Sequence, residues 1–509
     1  MSDTTFPTQL TLSGFKPFAQ SQAAPLAPIT LLYGPNSGGK TSIIQALLLL
    51  KQRSQAYSTA TSGLVLKGPL VDCGTFESVA HRHDRGTDVS MSLRVSGGQS
   101  LRFRFRTAPA RITLPLDASS EVSVRFHAAP STRGRRGHSS YLASVRLRLD
   151  ATSSRPGLDA SLRAVSGRRR SQDADLFEWA DRDSVASMAV LVESLIREMV
   201  QRQRQPLRGL PKDLPSLAVL HRVLGSARAE AEMSSSLPAH LVAVRGSGKP
   251  DSPVGPDVGD VVLRVAEGLL HSLGSLHEDA INSLDYLGPL RMSPARYYRT
   301  SGEEGGTVGV AGERTPDVLL SEGRDLRKNL HHWFERFQLP YELRVARLGN
   351  ALTGELLTLS LVDQRAGVAV STADVGFGIA QVLPILVEGL IGEGSLICVE
   401  QPELHLHPRL QADLADFFIS TSGIEQRKRD SVDAPNRWLV ETHSEALMLR
   451  FQRRVRQGSI RPSDISVLYV EPRRGGSRIH QLRLDDRGDF LDEWPHGFFE
   501  ERFDEVFGE

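Results

Sequence analysis

Apolar and polar residues alternate along the first third of the chain, and the period changes twice before the end. Leu10 and Leu12 share one strand face ahead of "GFKPF", and "PITLLYG" is a short apolar run that ends in a glycine turn. An apolar helix is expected from Thr41. Val89, Met91, Leu93 and Val95 then repeat with period two, Gly97 and Gly98 supply a turn, and Leu101, Phe103 and Phe105 resume the alternation. Val122, Val124 and Phe126 do the same, as do Val145, Leu147 and Leu149. Such runs, joined by turn residues, predict an antiparallel meander rather than strand–helix–strand units.

Near residue 175 the spacing becomes helical. Val185, Met188, Val192, Leu195 and Met199 fit one helix face, and Val262, Val265, Leu269, Leu273 and Leu276 fit another. The Pro/Gly/Ser-rich "RGSGKPDSPVGPDVGD" between them reads as a loop. No heptad pattern persists, so long coiled-coil arms are not expected. From about residue 340, strands "ELRVARLG" and "LLTLSLVD" precede a glycine turn and the helix "GIAQVLPILVEGLI". Strand 395–400, a helix after Pro408, strand "NRWLVET", a helix from Ser444 and strand "DISVLYVEP" follow. This alternation predicts a parallel sheet with helices on its faces. The expected organisation is an N-terminal half with a β-lobe (1–170), a helical insertion (171–340) and a C-terminal half (341–509), the two α/β pieces closing into one sheet.

Composition adds limits. The chain has 509 residues, a formal net charge of +1, 40% hydrophobic and 24% charged residues, the profile of a soluble globular protein with a sizeable core. Its two cysteines, Cys73 and Cys398, are far apart and suit a reducing compartment. "MSDTTFPTQL" lacks the features of a signal peptide, and no apolar run approaches a membrane span of ~20 residues. A cytoplasmic location with no membrane contact is expected. The balanced charge makes no whole-protein case for nucleic acid, and the clusters "RGRR" (133–136) and "GRRR" (167–170) read first as solvated loops.

The most specific chemistry is "GPNSGGKTS", residues Gly34 to Ser42, which fits G-x-x-x-x-G-K-[ST]. Gly34, Gly38 and Gly39 let backbone N–H groups, with those of Asn36, Ser37 and Ser42, turn inward around phosphate oxygens. Lys40 is expected on the β- and γ-phosphates, and the Thr41 hydroxyl on a Mg²⁺. The following helix points its positive end at the anion. The expected ligands are therefore ATP and Mg²⁺. Glu400, at the end of "SLICVE", is placed as the second metal-side residue, in the role of a Walker B carboxylate. Gln401 follows where a second acid would activate water. Glu403 and His443, the latter in "WLVETHSE", are further candidates for that task. His405 and His407 belong to "HLHP", either near the phosphate or in a structural turn; zinc lacks the supporting ligand spacing.

The P-loop, a long insertion, "DVGFGIAQVLP", "VEQPELHLHP" and "ETHSE", in that order, resemble the ABC-type ATPase heads of the structural-maintenance-of-chromosomes class. The likeness is to the overcoming-lysogenisation-defect-like branch, which includes ATPase subunits of anti-phage systems such as Septu and PARIS. "YLGPLRMSPARYY" (286–298) and "WPHGFFEERFDEVF" (494–507) also look like segments of such ATPases. The resemblance implies an α/β P-loop head, mostly parallel sheet plus an antiparallel β-lobe, with a helical insertion. It also implies a homodimer or higher homo-oligomer, two heads sandwiching ATP head to tail. Asp374, Val375, Gly376 and Gly378 would then form the signature segment, with Val375 near the place of the usual serine. Lys16 matches a basic position near the nucleotide, and Asp72 and Glu77 stand where a lid glutamine is not found.

Gln401 occupies the place of the water-polarising acid, and an amide cannot accept a proton at neutral pH. General-base help is typically worth ~10²–10⁴-fold in rate. Hydrolysis is therefore expected to be slow, or completed by Glu403, His443 or a partner. The resemblance implies an ATPase head of an anti-phage complex that controls a separately encoded nuclease or toxin-like effector. Only about forty residues follow "VLYVEP", which leaves no expected room for a fused Toprim nuclease, and Asp485, Asp486 and Asp489 read as a turn. The alternative is an ABC-type clamp for DNA repair or chromosome maintenance, with DNA as its ligand. An AAA+ ring motor and a transporter ATPase fit the motifs less well.

Overall fold

Five consecutive buried residues, Ile29–Tyr33, form the strand that leads into the phosphate-loop sequence. A strand apolar on both faces belongs inside a covered sheet. The computed structural model places it fourth of six, in the order Leu284–Leu287, Leu396–Glu400, Arg437–Glu441, Ile29–Tyr33, Ile465–Glu471 and Arg478–Leu482. The first five strands run parallel, and the sixth closes an antiparallel hairpin. The structure describes residues 5–55, 63–96, 99–104, 111–116, 118–129, 140–165, 174–202, 215–232, 240–243, 256–300, 306–350, 352, 354–424 and 435–495. The two arginine clusters, the turn at Gly97 and Gly98, Phe105, much of the loop before residue 256 and most of 494–507 lie outside these residues.

The chain resolves into two compact units, residues 24–44 with 283–509, and residues 1–23 with 45–282. The former holds the parallel sheet. Its helices Gly323–Arg336, Phe377–Ile391, Pro408–Thr421 and Glu445–Arg456 contribute to the core with that sheet. Trp438 lies 4.5 Å from the Phe418 ring, and Trp333 lies 4.9 Å from Phe417, edge on. Such aromatic pairs add ~0.5–1.5 kcal/mol each beyond area burial. A smaller antiparallel sheet of Tyr298–Arg299, Gly354–Asp363, Tyr341–Asn350 and Val368–Ser371 completes this unit.

The other unit is built on a nine-stranded sheet. Its order is His240–Ala243, Ala227–Glu232, Ala174–Trp179, Leu158–Ala164, Ser140–Leu149, Ser120–Ala128, Val89–Ser96, Phe6–Ser13 and Gln22–Pro25. Helices Arg182–Arg202, Leu217–Gly225 and Pro256–Asn282 belong to the same unit. Gln52, buried on the helix Lys40–Ser54, pins the loop beside it through Val65 O at 2.7 Å and the N–H groups of Leu70 and Val71 at 3.1 Å.

An α/β fold with a mostly parallel sheet and an antiparallel β-lobe is what the periodicity anticipated. Two details differ. Gln99–Arg104 does not extend the meander; it pairs with Arg111–Leu116 as a separate hairpin, and Val89–Ser96 pairs instead with Ser120–Ala128 and Phe6–Ser13. The segment 171–340 is not purely helical, because three of its strands extend the nine-stranded sheet and Leu284–Leu287 joins the parallel one. In "ARAEAE" the inward residues are alanines, Ala227 and Ala229, too small to register as an apolar period. The compact units cut the chain at 23/24, 44/45 and 282/283 rather than at 170 and 340. Among the described residues no helix is long and apolar enough to cross a membrane.

Candidate functional site

The loop Gly34–Gly39 leaves the strand Ile29–Tyr33 and feeds the helix Lys40–Ser54. Gly34 (φ 137°), Ser37 (φ 60°) and Gly39 (φ 111°) adopt positive φ, which turns the backbone sharply. A Cβ on Gly34 would sit 2.4 Å from Val470 O, so the neighbouring strand leaves room for glycine alone. Gly38 N–H donates to Pro35 O at 3.2 Å, and the buried Ser477 hydroxyl donates to Gly38 O at 2.7 Å. The Lys40 side chain is buried, its ammonium donating to Gly34 O at 3.0 Å and Pro35 O at 2.9 Å.

Three adjacent parallel strands end at this loop. Glu400 and Glu441 are register partners on neighbouring strands, and Glu441 is paired on its other side with Leu32 of the loop strand. The Thr41 hydroxyl donates to Glu441 Oε2 at 2.9 Å. Glu400 Oε1 accepts the Tyr286 hydroxyl at 2.7 Å. Both acids are buried. Burial pushes the Glu400 carboxyl up to about 7, Glu441 adding to the rise and the Tyr286 hydrogen bond opposing it. Burial likewise raises Glu441, against the Thr41 hydrogen bond and the Lys40 charge, and lowers Lys40 despite Glu441 and Glu403.

Gln401 takes a left-handed conformation, φ 45°, directly after the strand. Its N–H donates to Glu441 O at 2.7 Å, and its carbonyl accepts from Arg291 at 3.1 Å. The same guanidinium donates to Glu400 O at 2.8 Å and Pro289 O at 3.2 Å. Glu403 accepts the Thr442 hydroxyl at 2.8 Å on one oxygen and the His443 N–H at 2.6 Å on the other. It therefore anchors the histidine turn. Burial, with the charge of Lys40, lowers the pKa of His443.

The remaining candidates are placed as follows. Asp374 is exposed and forked by Arg296 at 2.7 and 2.8 Å. Gly376 precedes the helix Phe377–Ile391, and a Cβ on Gly378 would meet His405 O at 2.9 Å. His405 is exposed, and exposed His407 caps the helix Pro408–Thr421 through the Arg409 N–H, the structural turn of the two readings. Lys16, Asp72 and Glu77 belong to the unit without the phosphate loop. There Lys16 donates to Gln45, Asp72 accepts from Gly74 N–H at 2.8 Å, and Glu77 pairs with Arg85 at 3.0 Å. Asn36 and Ser37 are exposed on the loop, and Ser42 is buried in its first helical turn.

Sequence reasoning missed Glu441, Tyr286, Arg291 and Ser477. Glu441 carried a usable signal, since "RWLVE" repeats the apolar run ending in an acid that singled out "LICVE". Tyr286 and Arg291 lie in the noted segment 286–298, but nothing local ties them to a strand 114 and 109 residues away.

The family model described as an AAA ATPase domain matches residues 324–448, and that of a protein of unknown function, DUF3696, matches residues 460–507. No curated protein matches the chain. Among solved structures, an Smc head bound to the C-terminal winged-helix domain of ScpA is similar over 94% of this chain and 98% of that one, at 11% identity and a TM-score of 0.37. An Smc head with an extended coiled coil from Pyrococcus furiosus covers 94% and 96% at 12% identity and a TM-score of 0.36. The SMC head domain from Thermotoga maritima covers 94% and 100% at 10% identity and a TM-score of 0.33.

Proposed function

We propose that this chain is an ATP-binding, slowly hydrolysing head that switches shape with its nucleotide. The observation that carries the reading is the convergence at one sheet edge of the phosphate loop, Lys40, Thr41 and two strand-end carboxylates. In this reading backbone N–H groups of residues 34–42 wrap the β- and γ-phosphates, and Lys40 exchanges its loop carbonyls for phosphate oxygens. Thr41 and Glu400 lie on the Mg²⁺ side. The donors fit that ion, since hydroxyl and carboxylate oxygens are hard ligands and Mg²⁺ in phosphate sites needs only one or two carboxylates. Among the described residues no cluster of three or more His, Cys, Asp or Glu offers an all-protein cage. Bound there, Mg²⁺ would neutralise charge developing on the phosphates.

The slow rate follows from the water side. Gln401 orients water without taking its proton, Glu403 is committed to the histidine turn, and the lowered pKa of His443 makes its imidazole a weaker base. The model matching residues 324–448 supports the ATPase class, and the motif order supports the finer reading. In that reading two copies engage head to tail over ATP, with Asp374, Gly376 and Gly378 of one facing the other's loop. The complex acts in the cytoplasm in anti-phage defence and releases or restrains a separately encoded effector. Such a switch needs different nucleotide affinity in its open and closed states.

The test is steady-state phosphate release and binding of a fluorescent ATP analogue by the purified chain, beside Lys40→Ala. Expected are slow turnover in the wild type and loss of both signals in the variant. Equal phosphate release from the two would refute the ATPase reading. Co-purification from the native operon tests the effector.

A further inference from the structure

Glu441 ends the strand lying between the phosphate-loop strand and the strand of Glu400. It is buried, and its Oε2 accepts the Thr41 hydroxyl at 2.9 Å. This bond has a chemical direction. A carboxylate only accepts, so the threonine gives up its one hydrogen to Glu441 and keeps its oxygen lone pairs for another ligand. Glu400 stands opposite Glu441 in register, and like charges directly opposite on adjacent strands destabilise a sheet. The hydroxyl of Tyr286 and the guanidinium of Arg291, which donates to the backbone carbonyls of Glu400, Gln401 and Pro289, are set against this strand end. Adding a triphosphate beside two buried carboxylates brings more negative charge to the same edge.

We propose that Glu441 is a cation-side residue of the site, its carboxylate and the Thr41 oxygen together holding the divalent ion that accompanies the triphosphate, with Glu400 beside them. The inference rests on the reading of the loop as an ATP site and adds to it a residue from a third strand. A purely structural role is the rival: a neutral acceptor would hold the Thr41 hydroxyl equally well. Glu441→Gln separates the two, because the amide oxygen keeps the acceptor and the volume while the charge is removed.

The probe is Mn²⁺, its free concentration read by electron paramagnetic resonance, with and without ATP. Binding of a fluorescent ATP analogue in excess EDTA is measured in parallel, and melting curves check folding. The expected result is that Glu441→Gln binds the analogue in EDTA at least as tightly as the wild type, yet holds Mn²⁺ in the ternary complex fivefold or more weakly. A loss of Mn²⁺ affinity smaller than fivefold overturns the inference and leaves Glu441 a hydrogen-bonding strut. If Glu441→Gln does not fold, Glu441→Asp is judged by the same threshold, since the shorter acid keeps the charge but withdraws it from Thr41. A wild-type chain that binds neither the analogue nor Mn²⁺ with ATP removes the ATP reading itself, an outcome distinct from an intact ternary complex in the variant.

Discussion

Replacing Arg291 by methionine tests how the strand end that carries Glu400 and Gln401 is held. The guanidinium is buried and donates to three carbonyls, Glu400 O at 2.8 Å, Gln401 O at 3.1 Å and Pro289 O at 3.2 Å. Hydrogen bonds to charged groups are worth ~1.5–3 kcal/mol each, so the gross interaction is roughly 4.5–9 kcal/mol. Against it stands the cost of burying the cation, which lowers its pKa from the usual guanidinium value to about 10 despite Glu403 and Glu400. At ~1.36 kcal/mol per tenfold, that drop corresponds to roughly 3 kcal/mol. The difference is about 1–6 kcal/mol, and carbonyls left without a donor place methionine in the upper half of that range. Gln401 also loses one of the bonds that keep it at φ 45°, so the segment after the strand should relax. The phosphate loop is untouched. Urea unfolding followed by tryptophan emission suits this unit, which contains Trp333, Trp438 and Trp494. The expected result is a lower unfolding midpoint and ATP turnover reduced at least tenfold, with affinity for an ATP analogue within threefold of wild type. Unchanged midpoint and turnover would refute the argument that this buried cation positions the strand end.

Gln401→Glu restores an acid after the strand and should raise phosphate release by ~100-fold, the lower end of the usual value of a general base; an unchanged rate would show that the amide is not limiting. Gly34→Ala must place a methyl group 2.4 Å from Val470 O at φ 137°, so titration with a fluorescent ATP analogue should show affinity down at least tenfold. His277, buried in the helix Pro256–Asn282 with Nδ1 donating to Leu273 O at 2.8 Å, has its pKa lowered by burial to about 4 from 6.5. The unfolded chain therefore binds the extra proton between pH 6.5 and about 4, so stability is full above this window and declines as pH falls through it. The loss reaches roughly 3 kcal/mol, and in denaturant unfolding at several pH values His277→Gln should flatten that part of the profile.

The phosphate loop could be read without a structure because everything it needs is local: an apolar strand, glycines where φ turns positive, a lysine, a hydroxyl and a helix. The ends of "LICVE" and "RWLVE" were equally visible as apolar runs ending in acids, and so was the α/β class. Periodicity states which face of a segment is buried, and it is silent about which segment lies beside it. Strand order alone sets Arg437–Glu441 between the loop strand and the strand of Glu400, and with that order Glu441 rather than Glu400 receives the Thr41 hydroxyl. The same holds for Tyr286 and Arg291, whose partners are remote in the chain, and for Lys16, Asp72 and Glu77, which fold into the other unit. Hydrophobic spacing and the glycine, lysine and hydroxyl pattern of the phosphate loop are properties of neighbouring residues, and the sequence by itself determined them. Which charges meet in a dry site depends on how distant strands close into one sheet, and only the tertiary structure decided that.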